Sequence, residues 1–344
     1  MKRRFLFFPA LLFMLLLCGC GKAAGSGAIV TLTPAPVPEA GTPLPLVRTA
    51  TPAPRTPTPV PTSTPVPTPT PTPAPTPTPE GLCGARFWPD AFRYDGTVLE
   101  DEDIYVSEKV DIRIRKIIDT ASFRKRITYF VADIKIQDIR SLRTAWAGDS
   151  PVGNQTKRLK DFDALVFPLV SMNGDYITGK RVGIVVRNGE VFRAVEPKNY
   201  DICALLKTGE LRVFEANTFS VDEVLALDPW QVWCFGPSLL DAAGHPKKKF
   251  HSSLTETNPR SVIGYYEPGH YCFVVVDGRR EGYSDGVELR ELSQLMYDLG
   301  CVAAYNLDGG ASSQMRFLGR NVNRPSGTRL IPDILYVTEP PDED

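Results

Sequence analysis

The sequence predicts an α+β domain, built on a mixed, mainly antiparallel β-sheet with a few packed helices and preceded by a disordered Pro/Thr-rich linker. Three observations carry this expectation. Short apolar runs with period-two alternation recur from Asp111 to Val337, and only one segment has a fully specified helical period. Of the 32 prolines, 18 crowd between Pro34 and Pro79, so that segment cannot enter a packed core.

The chain of 344 residues opens with Lys2-Arg3-Arg4, the apolar run Phe5–Leu17 and Cys18-Gly19-Cys20-Gly21. A basic start, a short apolar core and small residues at its end describe a secretory signal over residues 1–20. The apolar run is shorter than the roughly 20 residues a membrane-spanning helix needs. Leu17-Cys18-Gly19-Cys20 resembles the bacterial lipobox, which implies lipidation of Cys20 and attachment to the membrane through that lipid. The expected location is therefore a cell-membrane lipoprotein facing the cell wall or exterior. Ordinary cleavage nearby, or an uncleaved anchor, is the alternative.

Residues 21–80 form the linker, dominated by Thr-Pro, Ala-Pro and Val-Pro repeats. Proline fixes φ and removes a hydrogen-bond donor, which favours extended polyproline II. At about 3.1 Å per residue, Pro34–Pro79 could reach on the order of 140 Å. The remainder, 81–344, is long enough to bury a core without disulfide staples. At 42% hydrophobic and 23% charged residues, neither a wholly disordered nor a multi-span membrane protein fits.

The chain carries 39 Lys+Arg and 40 Asp+Glu, of which six cations and two acids precede residue 81, leaving −5 for the foldable part. Lys247-Lys248-Lys249 is a basic run with no interleaved aromatics, read as a solvated loop, so no nucleic-acid partner is expected. Of seven cysteines, Cys203, Cys234, Cys272 and Cys301 sit in apolar strand-like runs and read as small buried hydrophobes; Cys83 lies ahead of the first strand. There is no C-x-x-C, and His245, His251 and His270 lack zinc-ligand spacing. Oligomeric state is not legible.

Taken in order, residues 81–124 read as an N-terminal extension ending in an alternating strand, Asp111–Ile118. Tyr129–Ile136 alternates more clearly. Further strands are expected at Ala164–Met172, Val182–Arg187, Ile202–Leu206, Leu211–Phe214, Gln231–Phe235, Val262–Tyr266, Tyr271–Val276, Val302–Leu307, Ser313–Phe317 and Ile334–Val337. Asn188-Gly189, before Val191-Phe192, marks a two-residue hairpin. One helix is expected after Asp285 as cap, with Leu289, Leu292, Leu295/Met296 and Leu299 on one face and Gly300 as its stop. A weaker helix is expected at Val221–Leu227.

Two apolar strands each end in an acidic residue followed by glycine. Tyr271–Val276 opens into Asp277-Gly278-Arg279-Arg280, and Cys301–Tyr305 opens into Asn306-Leu-Asp-Gly-Gly-Ala-Ser-Ser-Gln-Met315. If the helix crosses between them, both turns emerge at one edge of the sheet, where clefts gather. Gly309 and Gly310 would let backbone N–H groups approach an anion, with hydroxyls from Ser312 and Ser313 and an amide from Asn306. Arg260 and Arg279 could each offer a bidentate guanidinium to phosphate or carboxylate. Asp277 and Asp308 form a pair of carboxylates of the kind glycosidic cleavage uses. The alternative is a plain hairpin turn between two core strands.

Asn306–Met315 resembles the N-L-D-G-G-G-S-S-T-M signature of the phosphodiester glycosidase family. In the family's order, Met172-Asn-Gly-Asp-Tyr176 resembles its N-G-x-[FY] turn and Asn258-Pro-Arg260 its P-R-[ST] element. Asp277-Gly-Arg279, the loop from Gly282 to Gly286, and Asn323–Arg329 also fit, the last as a shortened closing segment. The similarity covers residues 125–338, with Ala311 standing for the third glycine and Gln314 for the following Thr. The resemblance implies hydrolysis of a sugar-1-phosphodiester, with a glycan or sugar-phosphate substrate. Asp308 and Asp277 would be the catalytic carboxylates, Arg260 and Arg279 would hold the phosphate with Gly309, Gly310, Ser312 and Ser313, and Asn173, Asp175 and Asn306 would read sugar hydroxyls. No cofactor is expected, though a divalent cation between Asp277 and Asp308 stays open. A non-catalytic glycan-binding lipoprotein of the same fold is the rival reading.

Overall fold

The computed structural model describes residues 91–93, 95–177 and 181–341. The expected signal, Cys20, the linker and Cys83 lie outside them. Three sheets carry the fold, and every ladder between their strands is antiparallel.

The first sheet has seven strands: β1 (Leu99–Glu100), β2 (Ile104–Val106), β3 (Val110–Asp119), β4 (Ile127–Ile136), β12 (Arg260–Glu267), β13 (His270–Val276) and β14 (Ala303–Asn306), in the order β1-β2-β3-β4-β13-β12-β14. The period-two alternation divides its two faces. Along β13, Tyr271, Phe273 and Val275 enter one core cluster, while Cys272, Val274 and Val276 enter another beneath the helix α3 (Leu289–Asp298). Because β3 pairs with β4 over ten residues, the N-terminal extension supplies an integral part of this sheet.

A second sheet, β10-β9-β11-β7-β8, joins β7 (Gly183–Arg187), β8 (Glu190–Val195), β9 (Ile202–Leu206), β10 (Leu211–Phe214) and β11 (Pro229–Trp233) under the short helix α2 (Val221–Leu225). Its β7–β8 turn is the expected hairpin, with φ of 53° at Asn188 and 84° at Gly189. The third sheet, β16-β15-β6-β17-β5, contains β5 (Leu142–Trp146), β6 (Val170–Asn173), β15 (Met315–Phe317), β16 (Arg320–Asn321) and β17 (Asp333–Val337). Its side chains meet the first sheet in the main core.

Two expectations need correction. The strand expected at Ala164–Met172 is the end of helix α1 (Leu159–Val166) followed by β6. Leu159 and Phe162, three residues apart, both turn inward, and the Asp161 carboxylate accepts the Arg158 N–H at 3.3 Å. Phe167, at a left-handed φ of 45°, ends the helix. The helix after residue 285 begins three residues later than expected. Gly286 has φ of 96°, and Glu291 instead receives the Glu288 N–H at 2.7 Å.

The connection β13–α3–β14 positions the site. Both strands pair antiparallel with β12, so they run parallel to each other and end at the same rim. Arg260 lies opposite Val276, and Val262 opposite Asn306. Continuing these registers places Asp277 and Gly309 on either side of Pro259.

Candidate active site

Asn258-Pro259 is the strut around which the rim is built, and three glycines fit against it. A Cβ on Gly278 would sit 3.0 Å from Pro259 N, one on Gly286 2.7 Å from the Asn258 carbonyl, and one on Gly309 2.9 Å from the Pro259 oxygen. None of these positions accepts a larger residue without moving backbone. The turn after β13, the loop before α3 and the turn after β14 are thus drawn onto one segment.

The two acidic residues at the rim are presented differently. Asp277 is buried and saturated: Oδ1 accepts from Asn323 Nδ2 at 2.7 Å, and Oδ2 accepts from the Tyr283 hydroxyl and the Arg324 N–H, each at 3.0 Å. Asn323 Nδ2 also donates to the Ser313 carbonyl at 3.0 Å, and its Oδ1 accepts from Met315 N–H at 2.8 Å. Asp277 therefore ties the loop at 323–324 to the second turn. Burial raises its pKa, against the lowering effect of those three donors and Arg280.

Asp308 has one oxygen engaged and one open. Its Oδ1 accepts the Gly309 N–H at 2.9 Å, and Oδ2 is buried without a hydrogen-bond partner. Burial pushes its pKa above the usual carboxylate range, and Asp175 adds to that; the nearby Ser312 hydroxyl, the charge of Arg329 and the Gly309 N–H oppose it. Ser312 is close enough to act on the charge, yet its oxygen makes no hydrogen bond of normal geometry. Asn306 Oδ1 and Ser313 Oγ are likewise buried and unpartnered. Four such atoms cluster within residues 306–313, with the Ser312 hydroxyl turned toward Asp308, so this turn offers unpaired oxygens to a polar ligand.

The expected backbone cradle is not open. Gly310 N–H donates to the Pro259 carbonyl at 2.9 Å, Ser312 N–H to Gly309 at 3.3 Å, and Ser313 N–H to Gly310 at 3.2 Å. Gly310 has a left-handed φ of 66°, and a Cβ there would stand 3.1 Å from Arg279 Nη2. Its bare face is what lets the Arg279 guanidinium lie over the turn. Ala311 is not among the positive-φ residues, so its methyl introduces no backbone strain; it faces Gly327, whose own Cβ would meet it at 3.1 Å.

Of the two expected phosphate ligands, only Arg279 is exposed at the turn. It donates to Asn258 Oδ1 at 2.7 Å and holds a left-handed φ of 57°, a strained conformation for a side-chain-bearing residue. Arg260 is buried and turned away, donating to the carbonyls of Leu254 at 3.0 Å, Glu256 at 2.5 Å and Val287 at 3.3 Å. Desolvation lowers its pKa to about 10. It braces the 254–256 loop rather than a ligand.

The residues expected to read sugar hydroxyls also form the framework. Asn173 is fully buried; its Oδ1 accepts from Ser261 Oγ at 2.7 Å and Gln314 N–H at 3.2 Å, and its Nδ2 donates to the Asp308 carbonyl at 2.7 Å. Asp175 is fully buried, accepting from Arg187 Nη2 and Cys234 N–H, both at 2.8 Å. Asn306 Nδ2 donates to the carbonyls of Gly236 and Leu307, leaving only its Oδ1 free. Arg329, which ends the closing segment and carried no expected site role, reaches Asp308 with its charge, and its guanidinium lies 5.6 Å from the Tyr176 ring centroid. Asn323, which opens the same segment, carried no expected role and is the bridge between the turns. Among the described residues, no cluster of three or more His, Cys, Asp or Glu could hold a metal ion.

Residues 168–338 match the family model described as phosphodiester glycosidase. The chain is 24% identical over 182 residues to the SPbeta prophage-derived uncharacterized protein YomE of Bacillus subtilis (strain 168), covering 51% of this chain but 28% of that relative's length. Among solved structures, it resembles the zebrafish N-acetylglucosamine-1-phosphodiester alpha-N-acetylglucosaminidase catalytic domain auto-inhibited by its pro-peptide. That likeness has a TM-score of 0.55 at 20% identity and covers 67% of this chain and 83% of the other. A hypothetical protein from Synechocystis gives a TM-score of 0.51 at 14% identity, over 69% of this chain and 64% of its own. Both likenesses establish a shared fold.

Proposed function

Residues 168–338 form a domain of the phosphodiester glycosidase family, and from that premise we propose that this protein hydrolyses the sugar–oxygen bond of a sugar-1-phosphodiester in envelope or extracellular glycans. The signal-like N-terminus and Cys20 support an exported, lipid-anchored setting for that activity.

One observation carries the reading: a buried carboxylate oxygen, an amide oxygen and two hydroxyls on residues 306–313 lack partners, beside an exposed guanidinium lying over Gly310. Asp308 is the reactive carboxylate. In its ionised form it takes a proton from water as the water oxygen bonds to the anomeric carbon. The bond from that carbon to the phosphate oxygen breaks, and the electron pair leaves with the phosphate. Arg279 and Arg329 stabilise the charge collecting there. Asp277 is a positioning residue: it acts through Asn323, which fixes the second turn. Asn306 Oδ1, Ser312 and Ser313 are left to meet the substrate's polar groups.

The test is release of free sugar from a panel of sugar-1-phosphodiesters by the full chain, with wild type run beside Asp308→Asn and Arg279→Ala. Loss of the catalytic base is expected to reduce kcat by about 10²–10⁴. Release that is insensitive to both substitutions would remove these roles, and no release from any diester would overturn the activity itself.

A further inference from the structure

The glycine turn continues into a basic cleft. Beyond Asp308 the chain reaches Gln314, whose side-chain amide donates to the Arg329 carbonyl at 3.5 Å, and both residues line a cavity of about 620 Å³. Its other walls come from the start of α1 (Arg158 and Lys160), from Arg280 in the turn after β13, and from the loop of residues 325–330. Arg158, Lys160, Arg280 and Arg329 are all exposed, and no acidic or aromatic residue lines the cavity. Among the described residues, none of these four cations belongs to an ion pair.

This arrangement runs against the charge of the whole. The chain from residue 81 onward carries net −5, yet four cations from three separate segments surround one cavity with no acid in its lining; Asp277 and Asp308, which Arg280 and Arg329 reach, stand at the rim outside it. Bringing them together costs repulsion that a bound anion would relieve. A single phosphate leaves most of the cavity unused, since its volume is that of a site for a whole small molecule, roughly 300–1,000 Å³. The cavity also borders the reaction centre, because Arg329 both lines it and acts on Asp308.

We propose that this cleft binds the continuing anionic chain on the phosphate side of the scissile bond, so that the substrate is the terminal sugar of a polyol-phosphate polymer rather than an isolated small diester. The inference rests on the activity proposed above and assigns its substrate class. Successive phosphates meet Arg280 and Arg329 first and Arg158 and Lys160 beyond them. Nucleic acid is disfavoured by the lining itself, for single strands are held largely by stacking on aromatic rings and none is present.

The experiment measures binding and turnover separately, on the full chain. A fluorescent glycerol-phosphate decamer is titrated against wild type, Arg158→Glu/Lys160→Glu and the charge control Lys198→Glu/Lys207→Glu. A dT decamer and a heparin oligosaccharide of similar length serve as competitors. The expected result is affinity at least tenfold weaker in Arg158→Glu/Lys160→Glu and a shallower salt dependence, as fewer cations contact phosphate. The control is expected to match wild type, and all three proteins to unfold at similar temperatures. In turnover, the rate ratio of sugar-capped polymer to short diester should fall by a similar factor.

An unchanged affinity, or displacement of the decamer by dT or heparin at lower concentration than by unlabelled decamer, overturns the proposal. If no diester is cleaved but decamer binding is still lost in Arg158→Glu/Lys160→Glu, the cleft stands and the catalytic reading fails. Cleavage of short diesters without any decamer binding overturns the cleft and leaves the catalytic reading standing.

Discussion

Beneath the second turn lies a buried ionic cluster whose proton count sets a sharp prediction. Arg187, Asp175 and Asp333 are all essentially inaccessible; Arg187 Nη2 stands 2.8 Å from Asp175 Oδ1 and 3.2 Å from Asp333 Oδ2. Two carboxylates share this one guanidinium directly, with Arg193 acting on Asp175 from farther off, and a dry interior does not favour ionising the second carboxyl as well. Burial, first, and the neighbouring Asp175 push the Asp333 pKa up to about 8, so this carboxyl keeps its proton at neutral pH. Which carboxyl can become an amide follows from the partners. Both Asp175 oxygens accept from donors, Arg187 and the Cys234 N–H, whereas Asp333 Oδ1 meets no donor.

Asp333→Asn is therefore expected to match the wild type near pH 4 and to exceed its stability by up to about 3 kcal/mol near pH 6, because the wild-type carboxyl must take up a proton on folding and the amide need not. Asp175→Asn turns an NH₂ toward a donor and removes a charge-assisted hydrogen bond, costing about 2–4 kcal/mol. For a domain of this size that lowers Tm by roughly 5–15 °C. The pH dependence separates them further. With a folded pKa near 8 and an unfolded pKa near 4, the folded state holds one more proton over that window. Its stability is then fullest below the unfolded pKa and falls as pH rises toward the folded one. Between pH 6 and 8 this amounts to about 2 kcal/mol in the wild type, and Asp333→Asn should remove the slope. Urea unfolding of the full chain at intervals from pH 5 to 9 reads both quantities. Equal losses from the two substitutions, or an unaltered slope in Asp333→Asn, would refute the assignment of the proton.

Three further outcomes follow from the rim. Asp308→Asn should abolish most sugar release while keeping the unfolding midpoint, whereas Asp277→Asn should lose about 1–3 kcal/mol of stability because its three donors then face an amide; paired kinetics and denaturation measure the contrast. Arg329 lowers the Asp308 pKa, so Arg329→Ala should move the acid limb of the kcat/KM profile to higher pH, the carboxylate now ionising later. Gly310→Ala should cost about 1–2 kcal/mol through its left-handed φ and its contact with Arg279, as seen in chemical denaturation, while Ala311→Gly should leave kcat unraised in steady-state assays.

Much of the fold was legible in the sequence, because strands such as β4 and β13 alternate between two buried faces and write a period of two into the chain. The β7–β8 turn was legible from Asn188-Gly189 alone. Where the reading slipped, local chemistry outweighed pattern. Ala164-Leu165-Val166 looks like the start of a strand until the inward pair Leu159 and Phe162 and the Asp161 cap are seen to extend a helix through it. The rim itself was visible as two acidic-glycine turns on either side of a helix. The direction of each polar side chain was not, since it depends on partners distant in sequence. Nothing around Asn173 reveals that its amide will be consumed by Ser261, Asp308 and Gln314. Arg260 likewise reads as an anion ligand until three carbonyls from residues 254–287 occupy its donors.

That difference between side chains bears on the chemistry. Two carboxylates at a glycosidic centre ordinarily divide the labour, one acting at the anomeric carbon and the other protonating a poor alkoxide leaving group. Here the partners of Asp277 and Asp308 make that division impossible in its usual form. Asp277 spends both oxygens on Asn323, Tyr283 and Arg324, and only Asp308 has an oxygen to offer. A centre with one available carboxylate suits a leaving group that departs without a proton, and a phosphate is such a group. What it requires instead is positive charge where the electron pair arrives, which is what Arg279 lying over Gly310, and Arg329 beyond it, are placed to supply. Under the proposed activity the fixed Asp277 is as informative as the open Asp308: a rim holding two free acids would instead favour cleavage of an ordinary glycoside.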